Sequence, residues 1–501
     1  MKILAPWFLA GSLISSVALN LYYLFSQSIR LDEAQSIWVA TKSVVGILKI
    51  SGQDVQTPLY PILLHFWMQV LGTDIVVARF LSLIFFIGTL PFLYWLLREV
   101  ITKDVAILGV ALFALSPFVL WYSHEARTYT LITLLAAANN LYFLRMLNSR
   151  GKTNKFFYLI TAILGVYSHY FFVFQLISQA VYMVAFTVKR VFKKRHPRPE
   201  HWRFLVAYLG VGVSILVLFL PWLWFVYGLG LAANTQPIIP KATSFDLIQI
   251  YINFIFGFQQ QGTQSLAVSV WPLFLMLMFF VFTRKMLIKL DRLDYFVVVS
   301  FLPVVLVYLV SFYKPIFLPR YLIFVTPAVF VLLAWLLVNF GKKVLSGLST
   351  GMAMVMLVSL NFQSKSILTP VKEDYRDVIN LIETQTTPQD IIVASAPFTI
   401  YPLEYYYSGT VRIDTIPHWN RYVVGSIPQF SQELLKTQID NYALTYNRIY
   451  LVLSYDQGYQ SEIVDYMDHS YQLLDNDLFP ANLNLRVYQL RYDPQLQLGT
   501  K

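Results

Sequence analysis

Residues 30–38 read Arg-Leu-Asp-Glu-Ala-Gln-Ser-Ile-Trp, and Asp32 and Glu33 are the first acids of the chain. They stand just past the apolar run 3–25. Two carboxylates in that place are either ordinary interfacial charge or a proton acceptor held at the edge of a bilayer. On a helix, adjacent residues point about 100° apart, so the pair is unsuited to one shared proton. One acid can work while the other caps or pairs. His124-Glu125-Ala126-Arg127-Thr128-Tyr129 forms a second polar cluster, His169 lies among Tyr167, Tyr170 and Phe171, and Arg320 opens the run Arg320-Tyr321 after Leu318-Pro319. Each has a plainer reading. Glu125 and Arg127 suit an interfacial ion pair, His169 an interfacial hydrogen bond, and Arg320 snorkelling to headgroups. As chemistry, a carboxylate can take a hydroxyl proton, and a guanidinium can grip a phosphate with two parallel bonds. Asp32, Glu125 and His169 are the candidate ligands of a divalent metal ion. No HExxH or paired-His spacing that zinc would favour is present. No Gly-rich phosphate loop is present either, which argues against direct ATP use.

These groups must be positioned by membrane helices. The chain has 501 residues, 57% hydrophobic and only 13% charged, against roughly 25% charge in soluble domains. Aromatics make up 17%, with 33 Tyr and 11 Trp, which suits interfacial belts. With no Cys, thiolate catalysis, disulfides and Cys-ligated metals are excluded. Taking about 20 apolar residues per span, about eleven spans are expected near 4–24, 78–98, 104–122, 128–147, 155–170, 172–189, 203–224, 266–283, 295–312, 321–340 and 344–361. The first is too long for a signal-peptide core and reads as an uncleaved span.

The net charge is +11, and the basic residues explain it without nucleic acid as a partner. They follow the even-numbered spans: Arg98 and Lys103, then Arg145 to Lys155, Lys189 to Arg203, Arg284 to Arg292, and Lys342 with Lys343. The positive-inside rule makes these connectors cytoplasmic. The N-terminus is then inside and the C-terminal region outside the cytoplasmic (inner) membrane. Asp32, Glu33, His124, Glu125, Arg127, His169 and Arg320 all fall on the outer side. Charges of both signs at span ends on one face suggest one site.

The long first outer segment, 26–75, is too polar to span and is expected to hold helices lying on the membrane. Ser116-Pro117 permits a kink in the third span, because Pro lacks a backbone donor. Beyond residue 365, alternating helical and strand patterns predict an α/β domain over 365–501. Helices are expected at 374–384 and 432–443, and strands at 391–395, 448–453 and 485–491. Residues 1–364 form the transmembrane part.

Several short motifs now stand in a meaningful order. Arg-Leu-Asp-Glu-Ala is followed by Thr57-Pro58-Leu59-Tyr60, then Ala78-Arg79-Phe80-Leu81-Ser82, Ser116-Pro117, Tyr122 to Tyr129, Ser168-His169-Tyr170, and Pro319-Arg320-Tyr321 before Pro327-Ala328. Over residues 1–365 this resembles the bacterial members of glycosyltransferase family 39. Those are GT-C-fold relatives of the protein O-mannosyltransferases and of the aminoarabinose transferases that modify lipid A. The resemblance implies a polytopic α-helical GT-C membrane protein with a C-terminal extracytoplasmic α/β domain. It implies inverting transfer of a sugar from a polyprenyl-phosphate donor to a lipid, glycan or protein acceptor. It also implies Asp32 as the general base and Glu125 as a second acid of the site. Arg127 and Arg320 would bind the donor phosphate, with Glu33, His124, His169 and Tyr321 lining the substrate. Aminoarabinose transferases carry an acid just before the Pro-Leu of the first loop. Here Gln56-Thr57 stands there, so the metal site of that branch lacks a ligand. Two other classes compete. A transporter or flippase of lipid-linked sugars would carry its ionisable residues near mid-span. A non-catalytic envelope glycan assembly protein would not need Asp32.

Overall fold

The computed structural model describes residues 4–54, 56–148, 151–193, 199–229, 239–258, 293–338, 342–366, 371–422 and 426–491. The chain opens with α1 (Leu4–Ser26), α2 (Leu31–Ala40), α3 (Val44–Gln53) and α4 (Leu59–Leu71). Then come α5 (Ile75–Arg98), α6 (Lys103–Leu115), α7 (Pro117–Ser123), α8 (Tyr129–Asn148), α9 (Lys152–Ser168), α10 (Phe172–Lys193), α11 (Pro199–Leu229) and α12 (Ser244–Phe256). Helix α13 (Leu293–Ser311), a 3-10 turn at Pro319–Val325, α14 (Thr326–Val338) and α15 (Lys342–Lys365) complete the helical part.

The chain forms two compact units. One combines Met1–Ser26, Gln56–Gly228 and Ile239–Thr369, and the other joins Gln27–Val55 to Pro370–Lys501. The first outer segment is therefore divided. Helices α2 and α3 belong with the C-terminal part, and α4 with the membrane helices.

Among the described residues of the membrane unit, six stretches are long and apolar enough to cross a bilayer: Trp7–Ser26, Ile75–Arg98, Tyr129–Leu147, Tyr208–Leu229, Leu293–Ser311 and Pro319–Val338. The α6–α7 pair makes a seventh if its two halves are one broken span. The chain is a multi-pass membrane protein. Helices α9, α10 and α15 follow the fifth, sixth and eleventh expected segments, and the eighth, 266–283, lies outside the described residues. The expected kink is present. At Ser116-Pro117 the chain bends by 63°, because Pro117 cannot donate to the preceding turn. Ser116 Oγ accepts from Val119 N–H at 3.3 Å and donates to the Phe254 carbonyl at 2.8 Å. Gln363 braces the same corner, donating to the Pro117 carbonyl at 3.1 Å and accepting Phe258 N–H at 2.9 Å. Gly257 there has φ +79°, and a Cβ on it would lie 2.4 Å from Gln363 Oε1.

Helix α8 packs against both α5 and α9, and α6 lies against α1 and α14. Deep among α8, α9, α10 and α13, a closed polar network replaces apolar contact. Gln179 donates to Asn139 at 2.9 Å, Asn140 at 3.1 Å and Tyr295 at 3.1 Å, and Tyr158 donates to Gln179 at 2.9 Å. Hydrogen bonds across helices hold a bundle in lipid, where burial of apolar surface does not.

The second unit carries a five-stranded sheet, β1 (Asp390–Ser395), β2 (Arg412–Thr415), β3 (Arg448–Leu453), β4 (Gln472–Phe479) and β5 (Leu483–Gln489), in the order β2-β1-β3-β5-β4. β1 is parallel to β2 and β3, and β5 is antiparallel to β3 and β4. Alternation along β1 and β3 sends Ile392, Ala394, Tyr450 and Val452 to one face, covered by α16 (Tyr375–Gln385). Ile391, Val393, Ile449 and Leu451 point to the other, covered by α18 (Gln432–Thr445) and α19 (Gln460–Ser470). A short α17 (Ile400–Tyr406) packs against α2. The buried Asp390 carboxylate takes two bonds from Arg448, at 2.8 and 3.1 Å, the fork geometry that compensates a charge removed from water.

Candidate functional site

In the α/β-containing unit, the acids sit in the first turn of α2, where the helix dipole favours negative charge. Glu33 is buried, and its Oε2 accepts the Arg30 backbone N–H at 3.1 Å, closing the N-terminus of the helix. Asp32 is only half-buried. Its carbonyl accepts Ser36 Oγ at 2.9 Å. The pair thus divides, with Glu33 buried and bonded to the backbone and Asp32 less deeply buried. Helix α2 is held within this unit before its first turn and at mid-helix. The Ile29 N–H donates to Tyr406 Oη at 2.8 Å, and Gln35 donates to Asp54 at 3.1 Å. Further along, the Arg421 guanidinium lies 5.1 Å from the Trp38 and Tyr401 rings and 5.2 Å from Tyr422, and it pairs with Glu404. Close to the acidic turn stand Lys372 and Glu373. Burial and the nearby Arg30 charge push Lys372 down to about 8. Burial raises the Glu373 carboxyl, Arg30 opposes this, and Asp32 and Glu33 add to it.

In the membrane unit, His124 and Glu125 are both buried. His124 stacks on Tyr23 at 4.9 Å and meets Trp121 edge-on at 5.3 Å. Arg127 N–H closes back on the Glu125 carbonyl at 2.7 Å, so the loop between α7 and α8 is one tight turn. Thr128 Oγ1 donates to the Ser168 carbonyl at 2.9 Å, tying that loop to the end of α9. His169 occupies the short turn between α9 and α10, outside both helices. Its Nδ1 accepts Phe171 N–H at 3.1 Å, so a neutral ring carries its proton on Nε2. Burial, then the positive charges of Arg127 and Arg320, push this imidazole down to about 3. Its ring lies 5.4 Å from that of Tyr321, over which the Arg320 guanidinium sits at 5.5 Å.

The structure therefore brings Arg127, His169, Arg320 and Tyr321 together, with Glu125 and His124 in the loop that carries Arg127. Asp32 and Glu33 gather with Arg30, Lys372 and Glu373 in the other unit. A neutral imidazole donor flanked by two guanidiniums suits an anion. It does not suit a divalent cation, and among the described residues no group of three or more His, Asp or Glu is placed to hold one. Sequence reasoning quoted Arg79 within a motif but gave it no place in the site; it is buried and donates to the Leu24 carbonyl at 3.3 Å. A lone guanidinium inside an apolar run was the available signal. It gave Arg30 no role and passed over Lys372 and Glu373, whose approach to Arg30 depends on contacts about 340 positions apart in sequence.

Residues 55–225 match the profile of the family described as Dolichyl-phosphate-mannose-protein mannosyltransferase. Among solved structures, the chain is similar to ArnT from Cupriavidus metallidurans bound to undecaprenyl phosphate. The identity is 12%, the TM-score is 0.57, and 95% of this chain and 98% of that one are covered. The apo form of the same protein matches equally. The fold is GT-C. The archaeal oligosaccharyltransferase of Archaeoglobus fulgidus, in its apo form, shares this GT-C architecture at a TM-score of 0.50 and 13% identity, covering 89% of this chain and 69% of that one. A search of curated protein sequences finds no match.

Proposed function

We propose that this chain is a membrane glycosyltransferase that moves a monosaccharide from a polyprenyl-phosphate donor to a hydroxyl of a lipid, glycan or protein acceptor outside the cytoplasmic membrane. The observation that carries this reading is the convergence of Arg127 and Arg320 on the half-buried His169, whose ring its desolvation and their charges keep neutral. Two fixed positive charges and an N–H donor, at the ends of membrane helices, fit a lipid phosphate. The mannosyltransferase profile over residues 55–225 supports the sugar chemistry, and ArnT, whose fold this chain shares, was crystallised with undecaprenyl phosphate.

In this reading Asp32 is the general base. The acceptor oxygen attacks the anomeric carbon as its proton passes to the Asp32 carboxylate, and the bond from that carbon to the phosphate oxygen breaks. The sugar configuration inverts, and polyprenyl phosphate leaves with the bonding pair. A positioned base contributes about 10²–10⁴-fold. The leaving phosphate is a stable anion and needs fixed positive charge more than it needs an acid, which Arg127 and Arg320 supply. Glu125 is the second acid of the site, Glu33 fixes the turn that carries Asp32, and His124 and Tyr321 line the substrate. The N-terminus lies inside the cell and the α/β unit outside.

The test is transfer of labelled sugar from a polyprenyl-phosphate donor by the purified chain in proteoliposomes. Asp32→Asn is expected to lose transfer at least 100-fold while its melting temperature holds. Full activity in that variant sinks the assignment of the base. Flux of lipid-linked sugar across the membrane, without transfer, would replace the enzyme with a flippase.

A further inference from the structure

At the far end of the membrane helices from the Arg127 loop, the connection between α5 and α6 forms one side of a cavity of about 270 Å³. Arg98, Val100, Ile101, Thr102 and Val105 line it from that connection, and Val338, the last residue of α14, lines it from the other side. One of these six residues is charged, and it is positive. Arg98 ends α5, and its Nη1 donates to the Ile101 carbonyl at 3.0 Å. That bond folds the guanidinium back onto its own loop. It uses one of five N–H donors, and among the described residues Arg98 makes no ion pair. The neighbouring acid, Glu99, is taken by Arg145 at 2.7 Å. The same bridge fixes the place of the cavity. It ties the loop to the last turn of α8, whereas Arg127 and Thr128 stand just before the first. Helix α8 has 20 residues, which at 1.5 Å each span about 30 Å, the thickness of the hydrocarbon core of a bilayer.

We propose that this cavity binds the headgroup of an anionic phospholipid from the leaflet opposite the site of Arg127, His169 and Arg320, with the lipid phosphate on Arg98. The inference does not depend on which reaction that site performs. Charge selects an anion. Besides Arg98, the sequence places Lys103 at the start of α6 and Lys342 with Lys343 at the start of α15, just after Val338, against Asp104 in the first turn of α6. A guanidinium grips a phosphodiester with two parallel bonds, and basic pockets between membrane helices are places where anionic headgroups lodge. Shape selects a lipid over a soluble anion. Four of the six lining side chains are aliphatic. A free ion would leave them wet, whereas the glycerol and first chain carbons of a lipid cover them. The volume lies just below the roughly 300–1,000 Å³ of sites that enclose a drug-sized ligand, which suits a headgroup whose chains stay outside. Trp95, one turn before Arg98, is exposed on α5, at the depth where indole rings meet headgroups. An arginine that merely snorkels extends toward water, whereas Arg98 bends back beside the cavity.

The experiment is native mass spectrometry of the full chain released from bilayers of equal phosphatidylglycerol and phosphatidylcholine, which share a phosphate and acyl chains but differ in net charge. The parent is expected to retain phosphatidylglycerol over phosphatidylcholine by tenfold or more in its first lipid adduct. Arg98→Met should cut that preference to threefold or less, and Arg98→Lys, which keeps the charge without the fork, should fall between. Lys152→Met removes a positive charge at the same end of the helices but outside the cavity, and should leave the preference intact. Equal retention of the two lipids by the parent overturns the proposal, and so does a full preference in Arg98→Met. An equal loss in Lys152→Met also overturns it, because net charge rather than the cavity would then select the lipid. Val338→Phe keeps the test decisive if Arg98→Met fails to fold. It adds bulk to the opposite wall without touching a charge, and should lower phosphatidylglycerol retention threefold or more; unchanged retention there overturns the proposal too. Excess inorganic phosphate separates the two sources of the anion. The lipid adduct should survive it, and displacement by phosphate alone would replace the lipid with a soluble anion.

Discussion

Asp32 and Glu33 are neighbours proposed for different duties, and they differ in burial. Glu33 is spent on the Arg30 N–H, so Glu33→Ala should lower stability by about 1 kcal/mol, the usual loss of a helix cap. Its effect on transfer should be smaller than that of Asp32→Asn, and thermal melting beside the transfer assay separates the two. His169 gives a prediction in pH. Its folded value is about 3 against 6.5 for the free side chain. The unfolded chain therefore binds a proton that the folded chain refuses. The stability at stake is fully present above 6.5 and is lost as pH falls toward 3. The melting temperature of the parent should drop between pH 6.5 and 5, and that of His169→Gln should drop less over the same range. The two arginines should read out in the donor term. Arg127→Met and Arg320→Met are each expected to raise KM for the lipid-linked sugar tenfold or more, because each removes fixed charge from the same anion. Unchanged KM in both would remove the phosphate from this place.

Among the elements, the last turns of α9 pack tightly against the start of α10. A Cβ on Gly165 would lie 2.4 Å from the Phe172 ring, and Phe172 is fully buried. Gly165→Ala should cost about 1–3 kcal/mol through overpacking. It should also weaken donor binding, since His169 lies in the turn between these two helices, and melting together with KM tests both effects. How far the elements were legible follows from the same physics. Strand 448–453 was read at its true limits, and α16 and α18 within two residues, because each has a buried face and so a regular apolar period. β4 escaped. It is an edge strand, exposed along most of its length, and its sequence, Gln-Leu-Leu-Asp-Asn-Asp-Leu-Phe, carries no alternation. β2 has four residues, too few for any period to show. The kink at Pro117 was legible because a missing N–H is written in the residue type. The Arg30–Lys372–Glu373 group was not, because nothing local distinguishes an acid that will be buried by a segment 340 positions away.

At the scale of the molecule, the basic connectors predict which ends of the helices face the cytoplasm. The chain contains no Cys, so single cysteines can test this without a background. A cysteine at Lys152 should react with a membrane-impermeant maleimide only after the membrane is opened. One at Ser470, in the α/β unit, should react in intact cells. Labelling of both from outside would invert the topology. Sequence reasoning placed the helical and α/β parts, but it treated 26–75 as one loop. The compact units part within it, near Gln56, and no change of composition marks that point. What decides the division is tertiary packing of α2 against α17, which a one-dimensional pattern does not encode.

That division sets the rules for rebuilding the protein. The helix bearing Asp32 is held by Tyr406, Arg421 and the sheet-containing unit, although it precedes that unit by more than 300 residues in the chain. A chimera that exchanged residues 370–501 alone would leave α2 docked on a foreign surface, without its partners at Tyr406 and Arg421. An exchange that carries residues 27–55 along with 370–501 moves the helix together with its socket. The interchangeable module is therefore discontinuous, and gene fusions that cut at a single point would separate its halves.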